Sequence, residues 1–146
     1  MKKYTIGALF TPDLEQILLI QKNRPDWQKG RLNLPGGHIE DYEMPSTCVS
    51  REFEEETGLI IPTFRWTSIG RIQNDGNYYV EFLTAIYKGE TKDIIQHTDE
   101  QILWSFTNNI PAHAISNLHW LIPFAKNFHK QGNSDKLKFG IFNYEY

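Results

Sequence analysis

Alternation of apolar and polar residues, interrupted by turn residues, predicts two β-hairpins. Residues 4–10 (YTIGALF) and 17–21 (ILLIQ) are apolar runs rich in β-branched side chains, and the intervening TPDLEQ is a turn sequence. Residues 63–73 and 77–87 form a second pair of strand-like runs, joined by the turn signal NDGN. These four runs place most of the predicted sheet in the first 87 residues.

Helical spacing replaces alternation in two other segments. Residues 45–57 contain few helix breakers, with Val49 and Phe53 four apart on one face, and Gly58 follows where a helix commonly ends. Residues 114–130 predict a C-terminal helix, and Pro123 within it predicts a kink or a late start.

Two further strands and two helices complete the expected architecture. Residues 102–106 (ILWSF) and the tail, residues 137–146, are strand-like, whereas LNLPGGH at 32–38 predicts an irregular backbone. Strands interspersed with helices favour a layered α/β domain. The 146 residues suit one domain spanning 1–146, and the aromatic content of 14% excludes the disordered class.

Charge is distributed unevenly along the chain. Residues 40–56 hold seven acids and a single base, a local sum of −6, whereas the remainder sums to +3 and the whole chain to −3. A nucleic-acid polymer as partner would call for a basic stripe, which the pattern does not show. The segregation instead indicates carboxylates that act together.

Cysteine usage and hydropathy indicate the expected compartment. Cys48 is the only cysteine, which excludes an internal disulfide and a cysteine-based zinc site. No apolar run approaches the length of a membrane span, and the N-terminal residues lack a signal-peptide core. We expect a soluble, cytoplasmic protein that does not bind membranes.

The acidic segment carries the candidate chemistry. Glu52, Glu55 and Glu56 lie at i, i+3 and i+4, so on a helix their carboxylates project to one side. Clustered carboxylates are hard ligands suited to Mg²⁺ or Mn²⁺, and Arg51 is placed to hold one of them by a charge-assisted bond. The alternative interpretation is a solvated acidic helix face.

A glycine pair and a further acid precede this helix. The Gly36–Gly37 pair lets bare backbone approach a metal or a phosphate chain, and Glu43 adds a carboxylate just before the helix. From Gly37 there are five residues, then Glu43, seven residues, and REFEEETGL.

This spacing resembles the Nudix box of the Nudix hydrolase superfamily, with Phe53 where an aliphatic residue is more usual. The resemblance implies an α/β/α sandwich with a mixed sheet, a catalytic loop and helix, and a C-terminal helix. It also implies metal-dependent hydrolysis of a nucleoside diphosphate linked to another group. Metal ligands would be the carboxylates of Glu52, Glu55 and Glu56 and the carbonyl of Gly36.

Supporting roles follow from the same resemblance. Arg51 would orient Glu52, and Glu43 would support the waters of the metal. Some family members use a later glutamate as general base, and Glu100, just before the strand 102–106, matches best, with an ordinary loop acid as the alternative. Glu81, within an alternating strand, is the weaker candidate.

Candidate substrate-binding residues lie outside the box. Asn33, before the glycines, resembles a base-contacting asparagine of the enzymes that hydrolyse oxidised purine nucleotides, and Asn117 lies near where that group grips the base. A turn or cap role is the alternative for both. Lys22 and Arg24 are candidates for phosphate, Trp27 for stacking on a base, and Gly37 for close approach of the phosphates.

Other aromatic and imidazole side chains are given no site role. Trp66, Trp104 and Trp120 lie in strand or helix patterns that predict the core. The five histidines show no ligand spacing, and none is assigned to a metal.

These residues together predict a MutT-like enzyme that cleaves a nucleoside triphosphate to a monophosphate and pyrophosphate, with oxidised purine nucleotides as one candidate class. Hydrolases of dinucleoside polyphosphates or nucleoside diphosphate sugars are the alternatives within catalysis. A non-catalytic nucleotide-sensing module is the alternative of another class. A monomer and a homodimer are both compatible with the sequence.

Overall fold

The computed structural model describes residues 1–74, 76–91, 99–132 and 140–143. Its helices are α1 (Pro45–Thr57) and α2 (Leu118–Lys130). Its strands are β1 (Lys2–Phe10), β2 (Gln16–Gln21), β3 (Leu32–Asn33), β4 (Gly36–His38), β5 (Thr67–Asn74), β6 (Tyr78–Ile86), β7 (Ile102–Phe106) and β8 (Gly140–Asn143).

The strands form a mixed sheet in which β1 is central. β1 runs parallel to β6 along its whole length, from Lys2 opposite Tyr78 to Phe10 opposite Ile86. Its other edge pairs antiparallel with β4 and, at Phe10, with β2 of the first hairpin. The remaining pairs are β2 with β3 and β7, and β5 with β6 and β8. The expected mixed sheet and both hairpins are confirmed.

Alternation along the strands builds two apolar layers, one on each face of the sheet. On β1, the buried side chains of Ala8 and Phe10 belong to the cluster that contains α2, and Leu9 to the cluster that contains α1. Successive residues of a strand point to opposite faces, so a strand buried on both sides is apolar at every position. The result is the expected α/β/α sandwich.

Helix α1 has the predicted bounds, 45–57. Pro45 occupies its first turn, where a missing N–H costs nothing, and Gly58 ends it at φ 78°, with its N–H bonded to the Glu54 carbonyl at 3.0 Å. Val49 and Phe53 are fully buried, so the predicted apolar face is confirmed. The opposite face is left for the charged residues.

Helix α2 begins at Leu118, four residues later than predicted, and Pro123 lies inside it. Residues before it pair with β3 instead: the Ile115 N–H donates to the Leu32 carbonyl at 2.9 Å. Trp120 was expected in the core but is 37% exposed, because it lies off the buried stripe of α2. Trp66 is buried, and Trp104 packs against the same cluster.

Two other boundaries differ from the sequence expectation. Residues 63–65 form a 3-10 turn after Pro62 rather than the start of β5. LNLPGGH is not irregular throughout, because β3 and β4 pair with β2 and β1 on either side of Pro35. Within the predicted tail strand 137–146, residues 140–143 form β8, and 137–139 and 144–146 lie outside the described residues. No helix in the described part of the chain is long and apolar enough to cross a membrane.

Candidate active site

The guanidinium of Arg51 joins the carboxylates of the acidic helix to the loop before it. Its Nε and Nη2 donate to the two oxygens of Glu43 at 2.8 and 3.0 Å, and Nη1 donates to Glu52 Oε1 at 2.8 Å. Glu55 lies further away, 3.4 Å from Nη1, and its side chain is 57% exposed. The planar fork of arginine suits this bidentate pairing.

This network explains how the site tolerates its own charge. The hydrogen bonds from Arg51 hold the pKa of Glu43 below its usual range, and those carboxylates raise the pKa of Arg51 further. Arg51 Nη2 also donates to the His38 carbonyl at 3.0 Å, which ties α1 to β4. The structure therefore brings Arg51 to Glu52 as predicted, and places Glu43 directly on Arg51.

Glu56 differs from its neighbours because it is buried. Burial raises the pKa of Glu56 to about 8, against an opposing attraction from Lys22, whose Nζ lies 3.9 Å from Oε2. Among the described residues, Oε2 has no hydrogen-bond partner. A buried carboxylate oxygen without a donor is costly, and a bound cation would satisfy it.

The two glycines bring β4 against both β1 and α1. A Cβ on Gly37 would overlap the carboxylate of Glu52, and a Cβ on Gly36 would overlap the backbone carbonyl of Thr5. Any larger residue at position 37 would therefore displace an acidic side chain of α1. Bare backbone of β4 therefore lies against the acidic helix, and its approach to a metal or a phosphate chain stays a prediction.

The donors fit a hard divalent cation by their chemistry rather than by a preformed cage. No three histidine, cysteine, aspartate or glutamate side chains in the described residues converge as a ready metal site. Glu52 and Glu55 instead face Arg51. Four carboxylates lie around the two cations Arg51 and Lys22; they are those of Glu43, Glu52, Glu55 and Glu56. When all are ionised, the negative charges exceed the positive ones by two, an excess that one Mg²⁺ or Mn²⁺ would neutralise.

The two candidates for general base have different surroundings. Glu100 Oε2 accepts the Asn23 backbone N–H at 2.7 Å, and the charge of Glu100 helps raise the pKa of Glu56, so the two acids are neighbours. Glu81 is buried and bonded to Ser68 at 2.6 Å and Arg71 at 3.1 Å. The fold brings Glu100 to the box and holds Glu81 in a separate ion pair.

A cavity of about 440 Å³ opens beside β4 and extends between the sheet and the start of α2. Its size lies within the range of small-molecule sites. All six residues predicted to bind substrate line it: Lys22, Arg24, Trp27, Asn33, Gly37 and Asn117. Gly36 lines it as well, so the cavity reaches the strand that touches α1.

The cavity has an apolar floor and a positive rim. Isoleucine, leucine and valine side chains form the floor, and the charged residues among its described lining are Lys22 and Arg24. Asn117 precedes α2, but its side chain does not cap the helix; its Oδ1 accepts from Trp120 Nε1 at 3.4 Å. An apolar pocket with cationic groups and no carboxylate in its described lining suits an anionic ligand with a flat apolar part.

Sequence reasoning missed several polar residues of this cavity, among them Gln28 and Tyr4. Gln28 lies in the loop 23–31, within a 3-10 turn, and accepts from Asn33 Nδ2 at 3.0 Å. Tyr4 comes from β1, in a run that predicted only a strand. No local pattern distinguishes either from a loop or strand residue. Gln28 is held by contacts within its own loop, whereas Tyr4 packs on His38 and Tyr78 of neighbouring strands.

The sequence of the chain is similar to those of known proteins. The NUDIX domain model matches residues 1–129. A curated relative, the NAD-capped RNA hydrolase NudC of Photobacterium profundum, is 31% identical over 98 residues; the match covers 67% of this chain and 36% of NudC. The chain thus spans about a third of the length of that relative.

Solved structures share the fold at low sequence identity. The mutator MutT protein of Bacillus halodurans aligns with a TM-score of 0.71 at 22% identity, covering 99% of this chain and 90% of that one. An ADP-ribose pyrophosphatase of Streptococcus suis aligns with a TM-score of 0.66 at 18% identity, covering 96% of this chain and 98% of that one.

Proposed function

The chain belongs to the NUDIX domain family, and on that premise we propose that it hydrolyses a nucleoside triphosphate to a monophosphate and pyrophosphate, with Mg²⁺ or Mn²⁺ as cofactor. Water is the attacking group, and no covalent intermediate with the protein is required. The proposal treats residues 1–146 as a single catalytic domain that acts in the cytoplasm as a monomer or a homodimer.

One observation carries this proposal: the acidic face of α1 meets a positively rimmed apolar cavity at the glycines of β4. Acid alone would not indicate a substrate, and a cavity alone would not indicate a reaction. Their junction lies where a phosphate chain would connect a base in the cavity to the carboxylates.

Each residue of the box then has a stated role. Glu52, Glu55, Glu56 and the Gly36 carbonyl would hold the cation, Arg51 positions Glu52, and Glu43 fixes Arg51 through two hydrogen bonds. A bound Mg²⁺ would neutralise phosphate charge and lower the pKa of water.

Glu100 is the proposed general base. The proximity of Glu100 to Glu56 supports this assignment. Glu81 is the weaker candidate, because its two carboxylate oxygens accept hydrogen bonds from Ser68 and Arg71. A base must lie within reach of the attacking water, and Glu81 would first have to break its ion pair.

The remaining cavity residues would bind the substrate. Asn33 and Asn117 would contact the base, Trp27 would stack on it, and Lys22 and Arg24 would contact phosphates, as would the backbone at Gly37. Oxidised purine nucleotides are one candidate class.

A second candidate is a nucleoside diphosphate linked to a further group, such as a dinucleoside polyphosphate or a nucleoside diphosphate sugar. Two similar proteins favour it, since NudC of Photobacterium profundum is an NAD-capped RNA hydrolase and the protein of Streptococcus suis is an ADP-ribose pyrophosphatase. A non-catalytic sensor is disfavoured because Arg51, Glu52, Glu55 and Glu56 are all present.

A nucleotide panel incubated with Mg²⁺ or Mn²⁺ tests the proposal. The panel includes nucleoside triphosphates, their oxidised purine forms, dinucleoside polyphosphates and nucleoside diphosphate sugars, scored for monophosphate, pyrophosphate and phosphate. We expect a triphosphate to yield a monophosphate and pyrophosphate in equal amounts. Preferential cleavage of a diphosphate-linked compound would select the second candidate, and no cleavage of any compound would contradict both.

A further inference from the structure

The hydrogen bonds of Asn33 fix which way its amide points. The Leu34 backbone N–H donates to Asn33 Oδ1 at 2.7 Å, and a backbone N–H can only donate, so the atom that receives it is the oxygen. The Nδ2 group must therefore face the other way, toward Gln28.

This orientation also fixes the amide of Gln28. Asn33 Nδ2 donates to Gln28 Oε1 at 3.0 Å, so the carbonyl of Gln28 faces Asn33 and its Nε2 group is the end that remains for other contacts. The backbone N–H of Leu34 thus sets the polarity of two side chains in series. The pair ends in an N–H donor.

The loop that carries Gln28 is held in place on both sides. The Gln28 N–H donates to the Pro25 carbonyl at 2.8 Å, and its own carbonyl accepts the Arg31 N–H at 2.8 Å. The Lys22 N–H donates to the Arg31 carbonyl at 2.9 Å, which closes the loop onto the end of β2. Gln28 is half-buried and lines the cavity in this fixed position.

The two charged residues of the cavity lining have the same bias. Lys22 and Arg24 can only donate, and the described lining contains no carboxylate to accept. At Gln28 Nε2, a nucleobase with a carbonyl oxygen would accept a hydrogen bond, whereas an exocyclic amino group at the same place would set donor against donor.

We infer that Gln28 is a specificity-determining residue, which with Asn33 forms a polarised amide pair that selects nucleotides bearing a carbonyl oxygen over those bearing an amino group. This inference rests on the proposed function, since it assumes that the base of a nucleotide occupies the cavity. It names the substrate class as inosine-, guanosine- or uridine-type nucleotides rather than adenosine- or cytidine-type ones.

Binding of non-hydrolysable analogues tests the inference apart from turnover. Isothermal titration calorimetry with Mg²⁺ would compare α,β-methylene triphosphates of inosine with adenosine and of uridine with cytidine. We expect the intact protein to bind the carbonyl member of each pair about ten-fold more tightly, the value of one hydrogen bond.

Gln28→Glu keeps the shape of the side chain and its acceptor for Asn33, but replaces the donor with an oxygen. We expect it to abolish or reverse the preference in both pairs, and Gln28→Leu to abolish it. Gln131→Glu, an exposed position beyond α2 that is not part of the cavity lining, makes the same chemical change and should keep the preference. Circular dichroism would check that each variant is folded.

Three results would overturn the inference: equal binding within both pairs, an unchanged preference in a folded Gln28→Glu protein, or no binding of any analogue. Hydrolysis in the nucleotide panel without a base preference would leave the proposed function standing and reject Gln28. Selective binding of analogues without hydrolysis of any compound would support the role of Gln28 in base recognition and reject the proposed function.

Discussion

Replacing Gly37 with alanine should remove activity while leaving the fold in place. The added Cβ would overlap the carboxylate of Glu52: Oε2 would lie 2.6 Å away, and Cδ and Oε1 would lie closer still. Since ordinary contacts begin at 3.4 Å, that carboxylate must move by about 0.8 Å or more. It is the far end of a flexible side chain, so the displacement is available without moving backbone.

The displacement has different consequences for stability and for turnover. Losing the bond between Glu52 and Arg51, which is partly exposed, costs about 1 kcal/mol or less. The reduced freedom of alanine in the unfolded chain offsets about 0.4–1 kcal/mol of this cost. A misplacement near 1 Å at a catalytic carboxylate lowers turnover by about 100-fold. We therefore expect kcat/KM to fall by about that factor, with Tm within about 3 °C of the parent protein.

Gly36→Ala is the matched control, because its Cβ would meet the Thr5 backbone carbonyl rather than a side chain. Forcing β4 from β1 costs about 1–3 kcal/mol, so Tm should fall by about 5–10 °C. Differential scanning calorimetry and steady-state kinetics on the preferred nucleotide measure both effects. Full activity in Gly37→Ala, or a loss of Tm equal to that of Gly36→Ala, would refute the reasoning.

Three further predictions concern the acidic residues of α1, the cavity residue Asn33, and His129 of α2. Glu55→Gln and Glu56→Gln should each lower kcat by orders of magnitude and weaken Mn²⁺ binding in titration calorimetry, whereas the control Glu54→Gln, exposed on the same helix, should do neither. Wild-type turnover in both Glu55→Gln and Glu56→Gln would reject the metal site. Asn33→Ala should reduce discrimination between bases more than kcat, and a uniform loss across bases in the kinetic panel would contradict this. Burial lowers the pKa of His129 to about 4, so the folded state keeps its imidazole neutral, and the free energy of unfolding should decline by about 1–3 kcal/mol as pH falls from about 6.5 to 4. Urea unfolding at several pH values should show this decline, and His129→Gln should remove it.

The sequence predicted best those elements whose ends are set by local chemistry. Helix α1 has the expected bounds because Pro45 and Gly58 act at its two ends through their own backbone preferences. Helix α2 was predicted four residues too long because residues 114–117 have helical spacing, but Ala114 and Ile115 pair with Leu32 of β3. That pairing joins segments about 80 residues apart, and no window of local sequence contains both.

Within the site, too, local sequence predicts some features and tertiary packing sets the others. The spacing of Glu52, Glu55 and Glu56 followed from helix geometry, and the structure places Arg51 on Glu52 as expected. The burial of Glu56 did not follow, since its pKa depends on how β2 and β4 pack over α1. Residue type and spacing indicate the candidate ligands, and tertiary packing decides how deeply each of them is buried.

Lys22 connects the cavity to the acidic helix. Its side chain lines the cavity, and its Nζ lies 3.9 Å from Glu56 Oε2, so one cation faces both regions. A cation loaded beside Glu56 would compete with Lys22 for the same oxygen and leave the ammonium free to meet a phosphate. In the proposed function, binding of metal and of substrate would therefore favour each other through this residue. Lys22→Met should reduce that coupling, measured as the change in Mn²⁺ affinity on adding a non-hydrolysable nucleotide, and an unchanged coupling would refute this role.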